Sequence, residues 1–275
     1  MNIFQAAVLG VVQGITECLP ISSSAHLRVV PALLGWADPG AAYSAVIQLG
    51  SVIAIIAYFF NDLWTIAQGS LKCLQSKDYM SRDFRLASAI VIGTIPICIL
   101  GLIFKKMLEA PDSPFRALSV IGFAAIGIAI LLLIAEKVGK RQRTLENLGA
   151  NDGLLVGLGQ CLALIPGSSR SGSALSIALL LNLTREDAAR FSFLLGIPAI
   201  TLAGLVEMKH MFEQGLTQGD IINMVVGLVV SLIVSYATIA WLLRYLLKHS
   251  TWLFIIYRLI FGVSILYLSF NGLIH

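Results

Sequence analysis

Six stretches of this chain stay apolar for about the length a helix needs to cross a lipid bilayer: residues 42–60, 86–104, 115–135, 191–206, 221–243 and 252–270. A hydrocarbon core about 30 Å thick takes roughly 20 helical residues, so these runs predict six spanning helices. The second and fourth contain Pro96 and Pro198, which a spanning helix tolerates where neighbours satisfy the freed backbone. Only 12% of the 275 residues are charged and 57% are hydrophobic, the composition of a polytopic membrane protein. The N-terminus lacks a basic flank and a small-residue cleavage pattern, so the first helix is expected to stay in the mature protein. Cys18, Cys73, Cys98 and Cys161 form no CxxC pair and read as structural thiols. The net charge of +4 comes from loops, with no basic stretch interleaved with aromatics, which excludes nucleic acid as the expected partner.

Two regions, 3–34 and 154–183, do not fit the spanning template. Each is an apolar run of about a dozen residues, a Pro/Gly/Ser break and a second short run, which predicts a re-entrant helix hairpin surrounded by protein or a polar cavity. The breaks resemble each other: Pro20 pairs with Pro166, Ser22 and Ser23 with Ser168 and Ser169, and Leu49-Gly50 with Leu195-Gly196, all 146 residues apart (166 − 20 = 195 − 49). The expectation is one all-α transmembrane domain, 1–275, built from repeats of about 1–140 and 141–275. With three spans per half, the second half sits upside down relative to the first, an inverted-topology repeat whose site lies near the midplane. The loops around 72–85, 137–143, 185–190 and 244–248 hold twelve Lys and Arg, against four (Lys105, Lys106, Arg116, Lys209) on the other side. The basic majority marks the cytoplasmic face, leaving both termini and the first re-entrant mouth outside. Arg28, Arg258 and Glu207 lie near predicted segment ends and are expected to snorkel.

The polar breaks are where chemistry is expected, because ionisable groups at membrane depth are costly and by default functional. Arg170 stands among serines after Pro166-Gly167, at the expected start of a half-helix over 171–183. Free N–H groups there, with the guanidinium, suit an oxyanion or phosphate; Gly167, Ser168, Ser169, Ser171, Gly172 and Ser173 join it as binding candidates, with Gln13, Ser22 and Ser24 from the first break. The competing reading is that these serines only cap the helix while Arg170 pairs with Glu17. Gln13 and Glu17, four apart, share a helix face and suit Mg²⁺ or Ca²⁺ through oxygen. His26, beyond Ser22, Ser23 and Ser24, completes a hydroxyl–imidazole–carboxylate set suited to nucleophilic or acid–base work. The attacking group is Ser23 activated by His26, His26 itself or a metal-bound water, with His26 and Ser23 expected to be the central pair.

These stretches resemble the bacterial undecaprenyl-diphosphate phosphatases associated with bacitracin resistance. Gln13-Gly-Ile-Thr-Glu17-Cys-Leu-Pro20-Ile-Ser22-Ser23-Ser-Ala-His26 is similar to that family's first signature, and Pro166-Gly-Ser-Ser169-Arg170-Ser171-Gly172 to its second. Ile47-Gln-Leu-Gly50 and Ala189-Arg-Phe-Ser-Phe-Leu-Leu-Gly-Ile-Pro198 extend the likeness. Two positions depart: Gln13 where many members have Glu, and Ala174 where the family often has Thr. The resemblance implies removal of the terminal phosphate of undecaprenyl diphosphate in a metal-dependent site facing the periplasm or outer surface. It makes Glu17, Ser23, His26 and Arg170 the main candidates. A polyprenyl-phosphate transporter or flippase is the alternative function, and a homodimer is one assembly left open.

Overall fold

The computed structural model describes residues 1–77, 79–109 and 114–273. It is all helical apart from one isolated bridge, Arg143 to Leu183. The chain runs through α1 (Ile3–Cys18), α2 (Ser23–Leu33), α3 (Gly40–Tyr58), α4 (Phe60–Ser76), α5 (Arg82–Glu109) and α6 (Leu118–Val138). It continues through α7 (Ala150–Gln160), α8 (Arg170–Leu180), α9 (Arg185–Gln214), α10 (Gln218–Lys248) and α11 (Trp252–Phe270). Of these, α5, α6, α9, α10 and α11 are each long and apolar enough to cross a bilayer. α3 and α4 reach the length of a sixth span only together, joined through a 70° bend. The expected segment 42–60 therefore stops at Tyr58, and α4 is an element the apolar pattern did not predict. Phe59 makes the corner, with φ −98° and ψ 20° and its ring buried against Tyr58 and Phe193. Asp62, Gln68, Lys72 and Gln75 keep α4 from being a bilayer span of its own.

The two interrupted regions form the expected broken pairs, α1–α2 and α7–α8. Each first half-helix packs on a long helix of the other half of the chain: α1 on α10, α7 on α5. The contacts are built alike. A Cβ on Gly10 would lie 2.7 Å from the Gly227 carbonyl oxygen, and one on Gly157 would lie 2.0 Å from that of Gly93. Such close approach is what small residues four apart allow between membrane helices. Two further contacts, α3 with α9 and α6 with α11, join elements in matching positions of the two halves.

The second half-helices begin in the same way. Ser22 and Ser169 both take positive φ (79° and 68°) and cap α2 and α8 by accepting from the N–H groups of Ala25 and Gly172. The structural register at this point is therefore 147 rather than 146, because Gly167, at φ +95°, is one extra residue in the second turn. Ser22 corresponds to Ser169, and Ser23 to Arg170. The second half-helix also begins at Arg170 and ends at Leu180, not over 171–183.

Candidate active site

Glu17 occupies the last turn of α1, which stops because Leu19 precedes Pro20 and is held extended (φ −80°, ψ 149°). The carboxylate is buried and collects donors from three other elements. Its Oε2 accepts from Ser23 Oγ at 2.6 Å, Gln13 Nε2 at 3.1 Å and Gln48 Nε2 at 3.3 Å. Its Oε1 accepts from Arg170 Nη2 at 3.3 Å. Arg170 is steadied in turn by donating from Nη1 to the Ser192 carbonyl at 2.9 Å, and its guanidinium rests on Gly196, where a Cβ would lie 1.8 Å from Nη1. The two polar breaks touch directly. The Gly167 N–H donates to Ser24 Oγ, and Ser171 Oγ reaches the carbonyls of Glu17 and Leu19.

His26 is buried but does not meet Ser23. Its Nδ1 lies 2.7 Å from the Ser22 carbonyl, an acceptor only, so Nδ1 carries the proton. Nε2, 2.6 Å from the Tyr257 hydroxyl, is left to accept. Phe261 stacks on the imidazole at 4.2 Å between centroids. The expected Ser23–His26 pair is thus absent, since α11 draws the imidazole away and Ser23 turns to Glu17. If the Tyr257 hydroxyl holds His26 in a working orientation, Tyr257→Phe should lower kcat about tenfold with KM little changed, the equivalent of one lost hydrogen bond. An unchanged kcat in a steady-state phosphate-release assay would show that this orientation is immaterial.

The remaining candidates are distributed around this centre. Ser22, Ser168, Ser169, Ser171 and Ser173 are buried, while Ser24 is exposed. Ser22 Oγ lies 3.2 Å from Ser24 Oγ, and Ser169 Oγ lies 3.2 Å from Ser171 Oγ. Gly172 supplies the N–H that Ser169 caps, and among the described residues Ser173 Oγ has no partner. A cavity of about 210 Å³ runs from the Arg28–Asp38 ion pair, 2.6 Å long, past Ser44 to Ser24, Gln48 and Pro166. It ends beside the Glu17 cluster, because Gln48 touches both.

Five residues of this environment were given no part in the site by the sequence: Tyr257, Arg258, and Gln48, Ser192 and Gly196, which lie within the stretches that extend the family likeness. Gln48 could have been found as a lone amide in an apolar run. Arg258 overturns the snorkelling expectation: it is completely buried and donates to the carbonyls of Ala125, Pro20, Gly167 and Ser168. Arg28 does sit at a rim, but as the partner of Asp38.

Among the described residues no group of three or more His, Cys, Asp or Glu is placed to hold a metal ion. What the site offers is one carboxylate and Gln13 Oε1, a buried acceptor with no partner among the described residues. That donor set fits a hard divalent cation that takes one or two protein oxygens and completes its shell with phosphate and water.

Spanning helices, broken half-helices and a buried carboxylate–guanidinium–hydroxyl cluster together define a polytopic membrane protein with a polar centre where its two broken pairs meet. The family model described as bacitracin resistance protein BacA matches residues 6–264, and the chain belongs to that family. It is 55% identical over 267 residues to the undecaprenyl-diphosphatase of Trichormus variabilis, covering 97% of this chain and 83% of that one. It is 56% identical over 274 residues to that of Gloeobacter violaceus (100% and 94%), and 54% identical over 267 residues to that of a Synechocystis species (97% and 82%).

Proposed function

We propose that the chain is an integral membrane phosphatase that hydrolyses undecaprenyl diphosphate to undecaprenyl phosphate and inorganic phosphate. Such an activity recycles the lipid carrier of peptidoglycan synthesis and confers resistance to bacitracin. The observation that carries the reading is the short Ser23–Glu17 hydrogen bond beside Arg170. It puts a hydroxyl, its base and a phosphate-binding cation in one buried cluster beside the cavity that Gln48 lines.

In this reading the diphosphate head enters the 210 Å³ cavity while the prenyl tail stays in lipid. Arg170 and the first N–H groups of α2 and α8 bind the phosphate oxygens, since charge-assisted donors at a helix start favour an anion. Ser23 Oγ attacks the terminal phosphorus as its proton passes to Glu17. The new O–P bond forms as the anhydride P–O bond breaks, and undecaprenyl phosphate leaves. Water then adds to the phosphoserine phosphorus as its bond to Ser23 Oγ breaks, the proton held by Glu17 returns to Ser23 Oγ, and the water's own proton leaves with the phosphate. Fixed donors around the developing charge supply most of the rate enhancement. A divalent ion, when bound by Glu17 and Gln13 Oε1, adds neutralisation of the phosphate oxygens. His26, held against Ser22 and Tyr257, serves the site from beside it.

The basic majority of the loops supports a multi-pass protein of the bacterial cell membrane with the cavity mouth and both termini outside. The matched contacts of the two halves support one domain of two inverted repeats. Purified protein in detergent, with no sealed compartment, is expected to release phosphate from undecaprenyl diphosphate. Arg170→Ala should lower that release at least about a hundredfold. A chelator should lower it and added Mg²⁺ or Ca²⁺ restore it. No release by the wild type would reject the phosphatase reading in favour of a transporter, and full activity in chelator would reject the metal.

A further inference from the structure

Among the described residues Arg258 is the largest side chain that is wholly buried, and no carboxylate pairs with it. Its guanidinium is satisfied by backbone oxygens alone. Nε donates to Ala125 O at 3.1 Å, Nη1 to Pro20 O at 3.1 Å, and Nη2 to Gly167 O at 3.0 Å and Ser168 O at 3.2 Å. These acceptors lie on α6 and on both re-entrant turns, which are more than half the chain apart in sequence. Only a planar fork with donors on three nitrogens can hold acceptors in that spread. The seam that carries it is tight: a Cβ on Gly262, one turn along α11, would lie 2.9 Å from the Gly122 carbonyl.

We propose that Arg258 is a positioning residue that locks the two re-entrant turns into one anion site and holds an unneutralised positive charge behind it. The proposal rests on the reading of the site as a diphosphate pocket. Peptide planarity supplies the link from clamp to site. In a trans peptide the N–H points opposite to the C=O, so drawing Ser168 O onto Arg258 turns the Ser169 N–H the other way. That N–H has no partner among the described residues, and it stands at the start of α8 beside Ser171 and Arg170. Holding Pro20 O fixes the first turn, two residues before the cap Ser22 and three before Ser23, against the same guanidinium. The geometry of Ser23 relative to Arg170 is therefore set through α11, a helix that contributes neither of them. The charge itself cannot be neutral packing. A buried arginine without a carboxylate attracts an anion across the turns, where the medium screens poorly.

Lysine and methionine variants separate clamp from charge, because lysine keeps the cation but cannot span two turns. In detergent-purified protein, Arg258→Met is expected to weaken binding of inorganic pyrophosphate about tenfold and to lower kcat about a hundredfold. Arg258→Lys should bind pyrophosphate within about threefold of wild type, yet remain at least about tenfold down in kcat. Binding and turnover are read per folded molecule, from the monodisperse fraction and its thermal unfolding curve. The proposal fails if Arg258→Met binds and turns over within twofold of wild type. It also fails if both variants lose activity only in proportion to their folded fraction, with binding per folded molecule intact. A wild type that binds pyrophosphate but releases no phosphate from the lipid would reject the phosphatase reading, while the binding results would still decide the clamp.

Discussion

Glu17→Gln should lower turnover by about three orders of magnitude, the scale on which a base or activated nucleophile acts. The substitution keeps the shape of the side chain and removes one charge, yet it disturbs every bond the carboxylate makes. Glu17 accepts from Ser23, Gln13, Gln48 and Arg170, and an amide can turn only one oxygen toward them. Its NH₂ would face a donor, and Ser23 would lose the acceptor that takes its proton. Removing one member of a buried ion pair also costs about 3–5 kcal/mol, because the other charge is left without compensation. Lost stability must therefore be separated from lost chemistry. Glu17→Gln combined with Arg170→Met removes both charges, so it is expected to recover much of the thermal stability and none of the turnover. Because both residues act in one step, the double variant should be little slower than the worse single one. Full turnover by Glu17→Gln, measured as phosphate release per folded molecule, would remove Glu17 from the reaction.

Hydropathy made the spans legible, because a bilayer imposes a length that local sequence must meet. It made the broken pairs legible too, since only a re-entrant hairpin accommodates two runs too short to cross. Features that depend on distant partners stayed hidden. The corner at Phe59 has no proline or glycine to announce it and is held by Phe193, from the other half of the chain. The one-residue slip between repeats could not be seen from matched serines, because it depends on Gly167 taking a positive φ. His26 looked like the partner of Ser23 by spacing along α2. Its actual partner is Tyr257, 231 residues away. Arg258 was misread for a related reason: six residues into an apolar run is a plausible place to snorkel, unless carbonyls of broken helices lie at the same depth and need donors. The match to the BacA family runs through residue 264 and so takes in Arg258, but the contacts of that side chain emerge only when the turns are assembled.

Gly196→Ala should disable the enzyme while leaving it folded. A Cβ at this position would lie 1.8 Å from Arg170 Nη1 and 2.4 Å from its Cζ. The obstructing atoms are the far end of a flexible side chain, so the guanidinium yields and the backbone does not. Moving it breaks the bond to the Ser192 carbonyl and the pair with Glu17. Displacement of a binding group by about 1 Å costs on the order of a hundredfold in rate, and KM should rise as well, because Arg170 grips the phosphates. Overpacking of this kind costs only about 1–3 kcal/mol of stability. Gly50, 146 residues earlier, is the matching position of the first half and provides the contrast. A Cβ there would lie 2.3 Å from the Leu228 carbonyl oxygen on α10, which is backbone and cannot swing aside. Gly50→Ala should therefore depress the thermal midpoint while sparing turnover per folded molecule, whereas Gly196→Ala should lower turnover per folded molecule far more than its loss of thermal midpoint accounts for. Equal losses of stability with intact kcat at both positions would mean that Gly196 matters only for helix packing and that the seat of Arg170 is adjustable.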